Sequence, residues 1–375
     1  IKQIYNSFVK YRKKGVDVFY VAFSGGKDSV VTLDLVQKAL PHNSFKVLFG
    51  DTGMEFPDTY ETVDYIEKQC QRDNIAFIRA KSKYKPSETW AKFGPPATVN
   101  RWCCSVHKTA PQILALREAT GIHDFTGMAF IGVRASESVA RSGYDYISLG
   151  EKHKGQWSCN PILDWNSAEL YAYIYSENLY LNKAYTKGNR RAGCLVCPRA
   201  AERSDYFARK CYPKEFDQLI SAIRSGYEGH FASEANLDQF VTNGGCKNGR
   251  DLNILSNYEE MEESRKLIIK ITNPRTDWKQ WIKTIGILQS EASPYCVETK
   301  HGIFEFEVEE SDGILKISLD SAIVKSAPNF IKLFKNVFHK TALCIRCGVC
   351  EADCHNGAIH MENGVLRIDD TCKHC

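Results

Sequence analysis

The sequence predicts an α/β protein. It reads as a parallel-sheet domain over residues 1–204, a helical extension over 205–290, a small β-rich segment over 291–338 and a small α+β domain over 339–375. Three observations carry this reading. Short apolar runs alternate with amphipathic helical patterns through the first two hundred residues. A glycine-rich polar loop sits at the first strand-to-helix junction. Six of the fifteen cysteines lie beyond residue 343.

Residues 1–14 read as an amphipathic helix with a basic end, Lys10 to Lys14. Strand patterns follow at 17–23, 45–50, 75–79 and 127–133, and helix patterns at 28–39, 57–70, 109–119 and 167–176. This alternation is that of a parallel sheet covered on both faces. Such sheets bind ligands at the carboxyl ends of their strands. Beyond residue 200 the chain becomes more polar and helical, with a Gly/Asn-rich break, "TNGGCKNGR", at 242–250. Residues 296–325 alternate as strands, and the Glu-Ser-Asp-Gly at 310–313 marks a hairpin turn. A short helix is expected near 328–338.

The chain has 375 residues, 43% hydrophobic and 25% charged, enough for two or three domains with full cores. A net charge of +4 permits an anionic ligand but does not by itself indicate nucleic acid. No apolar run reaches the roughly 18 residues of a membrane span, so no membrane partner is expected. No signal peptide opens the chain, and its first residue, Ile1, is expected to lie inside a longer protein. Fifteen cysteines in a chain this long suit metal ligation in a reducing cytoplasm better than a disulfide scaffold.

The stretch "VFYVAFSGGKDSVVTLDLV", Val18 to Val36, reads as strand, tight loop and helix. Gly25 and Gly26 let the backbone turn sharply and approach a ligand. The helix that follows points free N–H groups and its positive dipole end into the loop. Lys27 adds a charge, and Ser24 and Ser29 add hydroxyls. The result is a cradle for phosphate, distinct from the Walker loop. With Asp28 it resembles the Ser-Gly-Gly-x-Asp-Ser loop of the N-type ATP pyrophosphatases, the PP-loop family. The resemblance implies an adenine nucleotide alpha hydrolase-like fold, with Ser24, Gly25, Gly26, Lys27, Asp28 and Ser29 on ATP or another adenine nucleotide.

Three further segments extend that likeness over roughly residues 15–200. "DTGMEFPDTYE" from Asp51 resembles a stretch of the phosphoadenylyl-sulfate (PAPS) reductase superfamily, which gives Asp51 a place on a ribose or a Mg²⁺ ion. "GVRASESVAR" resembles that family's Arg-containing segment, which implies that Arg134 and Arg141 clamp an anion, as guanidinium forks do. "NPILDWNSAELYAYIYSENL", from Asn160, resembles its strand-to-helix segment. The catalytic residues so implied are Lys27, Asp28 and Arg134.

Two cysteine constellations remain. Adjacent Cys103 and Cys104 suit a mutual disulfide poorly. With Cys194 and Cys197 they form a two-plus-two set of soft donors for zinc or an iron–sulfur cluster, and spacing alone does not separate these. The pattern is similar to that of the assimilatory adenylyl-sulfate reductases, which implies a 4Fe–4S cluster on Cys103, Cys104, Cys194 and Cys197. His107, Lys108, Arg190 and Arg191 flank this set. "CIRCGVCEADC" is a bacterial ferredoxin run, and "TCKHC" begins a second. Cys344, Cys347 and Cys350 are expected on one 4Fe–4S cluster, and Cys354, Cys372 and Cys375 on another, each lacking one ligand within this sequence.

Two enzymatic readings follow. In the first, an ATP-using sulfur-transfer enzyme adenylates an acceptor, releases pyrophosphate and draws electrons through the clusters. This resembles the sulfur-transfer component of DNA phosphorothioation systems. In the second, a sulfonucleotide reductase makes sulfite. The intact loop and the lack of a Glu-Cys-Gly-x-His motif favour the first, and Cys246 alone in a glycine loop reads as structural. A third reading is a nucleotide-binding electron carrier. The expected partners are an adenine nucleotide, an electron or sulfur donor protein and, as one class of acceptor, nucleic acid.

Overall fold

The computed structural model describes residues 1–95, 97–98, 101–150, 155–229, 231–243 and 257–374. Cys246 and Cys375 lie outside the described residues. The chain divides into two compact units, Ile1–Arg250 and Asp251–Cys375.

In the first unit, β1 (Val18–Phe23), β2 (Lys46–Asp51), β3 (Ala76–Lys81), β4 (Gly127–Phe130), β5 (Ile147–Leu149) and β6 (Gln156–Cys159) form one sheet in the order β3-β2-β1-β4-β6-β5. All neighbours pair in parallel except β5, which runs antiparallel along β6. Burial of nearly every β1 side chain explains its unbroken apolar run. Helices α1 (Lys2–Lys13), α2 (Lys27–Ala39) and α3 (Pro57–Arg72) follow the expected pattern. Next come α4 (Pro86–Phe93), α5 (Trp102–Cys104), α6 (Ala110–Thr120), α7 (Val139–Ser142) and α8 (Ser167–Ser176).

Phe8 of α1, Val31 and Val36 of α2, Val63 and Ile66 of α3, and Leu170 and Ile174 of α8 join the strand side chains in one core. Helix α6 lies against β2 and β3. Strand order reverses between β1 and β4, so their carboxyl ends open a crevice at the switch point. The strand expected over 127–133 stops at Phe130, which frees Ile131 to Val133 to line that crevice. The first unit continues through α9 (Glu202–Cys211), α10 (Pro213–Ser225) and α11 (Glu234–Thr242), and α9 runs across the expected boundary at 204.

The helical character expected over 205–290 runs as far as Thr242, after which the described residues up to 290 carry three strands and one short helix over Trp278–Ile282. The second unit is instead built on an antiparallel sheet of β7 (Tyr258–Glu263), β8 (Lys266–Thr272), β9 (Gly286–Leu288), β10 (Tyr295–Thr299), β11 (Gly302–Ser311) and β12 (Ile314–Asp320). Their order is β7-β8-β12-β11-β10-β9. Because β8 pairs with β12 along its whole length, a boundary at 290 would cut this sheet. Asp312 and Gly313, both at positive φ, make the turn expected between β11 and β12. The outer strand β7 carries four glutamates and its side chains are almost all exposed.

Helix α12 (Trp278–Ile282), α13 (Ser321–Ser326) and the longer α14 (Pro328–Leu343) follow, with Trp278, Trp281, Phe334 and Phe338 in the core. The cysteine-rich tail contains α15 (Val349–Asp353) and the hairpin β13 (Ile359–Glu362) and β14 (Val365–Ile368). It has no separate core, since Leu366 and Ile368 join the same cluster as the tryptophans. Among the described residues no helix is long and apolar enough to cross a membrane.

Candidate active site

The loop after β1 is tied on every side. Gly25 has φ +70°, and a Cβ there would stand 2.8 Å from Thr59 Cγ2, so glycine is required for both backbone and space. Ser29 Oγ accepts from the Ser24 N–H at 3.2 Å and donates to the Gly26 carbonyl at 2.8 Å. Asn182 Nδ2 donates to the Gly25 carbonyl at 2.9 Å and to Thr59 Oγ1 at 3.0 Å. Helix α2 begins directly at Lys27 and carries no side-chain cap.

Asp28 is pinned between two cations. Arg134 Nε stands 2.6 Å from one oxygen and Lys27 Nζ 2.8 Å from the other. Arg134 is 3% exposed, and its Nη1 donates to Ser136 and Ser167 hydroxyls. Removing either member of such a pair strands a buried charge. A Cβ at Gly132 would come within 2.6 Å of the Asp28 carbonyl, so the exit from β4 packs directly on the first turn of α2. The structure thus brings together Lys27, Asp28 and Arg134, with Asp28 as the anchor of the two cations.

A cavity of about 270 Å³ opens here, lined by Ser24, Gly26, Lys108, Arg141, Arg191 and Tyr185 among others. Arg141 pairs with Glu137, and Arg191 Nη2 lies 3.8 Å from the same carboxylate. Burial, then the nearby charge of Arg191, lowers the pKa of Arg141. An anion between these guanidiniums would relieve that repulsion. Asp51 lies elsewhere, on a larger cavity of about 670 Å³ shared with Glu55, Tyr60 and Lys81. Its Oδ1 accepts from the Gly53 N–H and the Tyr60 hydroxyl, both at 2.9 Å, and Oδ2 is 3.2 Å from Lys81.

Cys103 and Cys104 form α5, which passes through a π-helical turn at Ser105–Thr109 into α6. The Cys194 segment docks on the loop after β2. Glu55 and Cys194 form an isolated antiparallel bridge, Leu195 N–H donates to the Met54 carbonyl at 2.7 Å, and Thr52 Oγ1 lies 3.6 Å from Cys194 Sγ. A hydrogen bond with Cys104 and burial raise the Cys103 pKa, and the charges of Cys104, Cys194 and Cys197 add to this. Burial and then Glu55 push Cys194 up to about 12, opposed by Thr52 and Lys108. The charges of Cys104, Cys194 and Cys197 thus act on Cys103, and Lys108, which also lines the loop cavity, acts on Cys194.

Among the described residues no group of three or more His, Cys, Asp or Glu stands at the spacing of a single ion's ligand set. Four soft sulfur donors are of the chemistry that zinc and iron–sulfur clusters both take. In the second unit, Cys344 and Cys350 are raised chiefly by burial, and each responds to a neighbouring cysteine of the run. Arg346 and Gly348 adopt positive φ, and the Arg346 N–H donates to Cys344 Sγ at 3.3 Å. Cys354 Sγ donates to Asn356 Oδ1 at 3.1 Å, while Asn356 Nδ2 reaches the carbonyl of Thr371, beside Cys372.

Residues 19–200 match the phosphoadenosine phosphosulfate reductase domain. This part of the chain belongs to that family. The chain is 32% identical over 234 residues to an uncharacterized protein of Methanocaldococcus jannaschii, covering 62% of this chain and 46% of that one. It thus spans about half the length of that relative, and of a second from the same organism. An adenosine 5'-phosphosulfate reductase of Geobacillus kaustophilus is 27% identical over 194 residues, covering 51% of this chain and 77% of that one. Among solved structures, a phosphoadenylyl-sulfate reductase of Candida auris matches with a TM-score of 0.39 at 20% identity, over 50% of this chain and 86% of that chain. Two residues of the reductase domain that hold the loop, Asn182 and Tyr185, carry no motif signal. The one hint is their place in a polar, irregular run just before Cys-x-x-Cys.

Proposed function

We propose that the chain is an iron–sulfur enzyme that binds an adenine nucleotide at the Ser24–Ser29 loop, adenylates an acceptor and supports sulfur transfer. The observation that best supports this is the intact loop opening on a cation-lined cavity whose Lys108 also acts on Cys194. Loop amides and Lys27 would hold the β- and γ-phosphates, with Mg²⁺ as a counter-ion. Lys108, Arg141 and Arg191 would take the charge that develops on the α-phosphoryl group. Asp28 keeps Lys27 and Arg134 in place. An acceptor oxygen attacks the α-phosphorus, the bond to the bridging oxygen breaks, and pyrophosphate leaves. A sulfur nucleophile from a donor protein then expels AMP. Cys103, Cys104, Cys194 and Cys197 would hold a 4Fe–4S cluster, which when bound supplies electrons. The cysteines of the second unit would hold relay clusters fed by an electron donor protein.

A second reading is favoured by the identity to adenosine 5'-phosphosulfate reductases: the same cavity would take a sulfonucleotide and release sulfite. One experiment separates the two. The anaerobically purified chain is given ATP, or adenylyl sulfate with a thiol reductant, and products are assayed. Pyrophosphate release from ATP that disappears in Lys27→Ala is the expected result. Sulfite without pyrophosphate selects the second reading. Neither product, with a reversible redox titration, leaves an electron carrier.

A further inference from the structure

Tyr185 stands where a ligand oxygen would be expected. Lys27 opens α2, a helix of 13 residues, and its N–H is the donor closest to the positive dipole end. That N–H is taken by the Tyr185 hydroxyl, at 3.1 Å. One loop amide is thus held by an oxygen 158 positions further along the chain. The Lys27 ammonium lies 5.1 Å from the centroid of the tyrosine ring. A Cβ at Gly26 would come within 3.1 Å of the same hydroxyl. Lys108, Arg141 and Arg191 line the cavity on which this oxygen borders. A neutral hydroxyl is a weak partner for so many donors and cations. An ionised oxygen in its place would make charge-assisted bonds roughly twice as strong.

We infer that the Tyr185 hydroxyl occupies the position of a phosphoryl oxygen of the bound nucleotide and is displaced when the nucleotide enters. Tyr185 is then a positioning residue: it keeps the loop amides satisfied in the empty site and withdraws in exchange for phosphate. This inference rests on the nucleotide reading given above and adds a residue to it.

The test is a set of binding titrations on the whole chain with ATP and with adenosine, for wild type, Tyr185→Phe and Lys27→Ala. Phenylalanine keeps the ring and its packing and removes only the oxygen. Removing a competing hydrogen bond of ordinary net strength should tighten ATP binding about 3- to 10-fold. Adenosine, which lacks the phosphate, should show no gain. Hydrogen exchange supplies a second readout. The peptide containing Lys27 should exchange faster in ligand-free Tyr185→Phe than in ligand-free wild type, and ATP should restore its protection in both. If wild type binds ATP and Lys27→Ala does not, but Tyr185→Phe binds ATP no tighter, the displacement is refuted while the nucleotide site stands. An equal gain for adenosine also refutes it, since the effect would then be one of ring packing. If wild type binds neither ligand, the nucleotide reading itself falls, and the inference with it.

Discussion

Asp28 shows how much of a motif residue's surroundings comes from outside its motif. In the sequence it belongs to a phosphate loop and suggests a group working on the ligand. In the structure its two oxygens are occupied by Lys27 and by Arg134, a residue 106 positions away. The pairing depends on β4 lying beside β1, which no local pattern encodes. Asp28→Asn should therefore act on folding before chemistry. It leaves the nearly buried Arg134 without its counter-charge, and a loss of about 3 kcal/mol or more is expected. Thermal melts of the variant check this, and an unchanged melting temperature would mean that the pair contributes nothing. Tyr185 and Asn182 were out of reach for the same reason: each holds the loop through tertiary contact, and neither belongs to a spaced motif.

Elements were legible where local periodicity and burial agree. The strands at β1, β2 and β3 and helices α2, α3 and α8 fall within two residues of the expected bounds, because each has one environment along its length. Strands β7 and β8 were hidden. Their turn uses Ser264 and Arg265 at positive φ rather than Asn-Gly, and β7 shows no apolar alternation. Strand β7 is held to α14 through Glu260, which lies 2.5 Å from Lys335 Nζ and accepts from the Tyr258 hydroxyl. Burial works to raise the Glu260 pKa, but the hydrogen bonds from Lys335 and Tyr258 prevail and lower it below 4.5. A carboxylate with a depressed folded pKa stabilises above its unfolded value, and that contribution is lost as pH falls through the folded value. Glu260→Gln should thus melt slightly lower than wild type at pH 7, by the equivalent of about 0.5–1 kcal/mol for a partly exposed pair. The two should converge in melts well below pH 4.5, and a constant gap across that range would rule the ion pair out as the cause.

At the scale of the whole chain, the sequence announced two chemical regions, and the structure gives each a compact unit with its own core. The thiols of the first region come from segments roughly ninety residues apart, and the bridge between Glu55 and Cys194 fixes one of those segments to the loop after β2. Those of the second come from one contiguous run and a short tail. Iron bound in the two regions should consequently respond separately to substitution. Cys194→Ser should remove about one cluster's iron from the purified chain while leaving the spectroscopic signal of the ferredoxin-like run. Full iron content in this variant would exclude Cys194 as a ligand.

The glutamates of β7 bear on how the second unit meets its own copies. An outer strand offers a row of unpaired backbone donors and acceptors, a template on which other chains can add. Placing Glu259, Glu262 and Glu263 along that row, beside the Lys335-paired Glu260, means that a second copy arriving strand to strand meets like charge at close range. The opposite rim, β9, is only three residues long and shows Ile287 to solvent. Sheet extension into fibrils is therefore discouraged at one rim by repulsion and at the other by brevity, and the weaker guard is the one at Ile287.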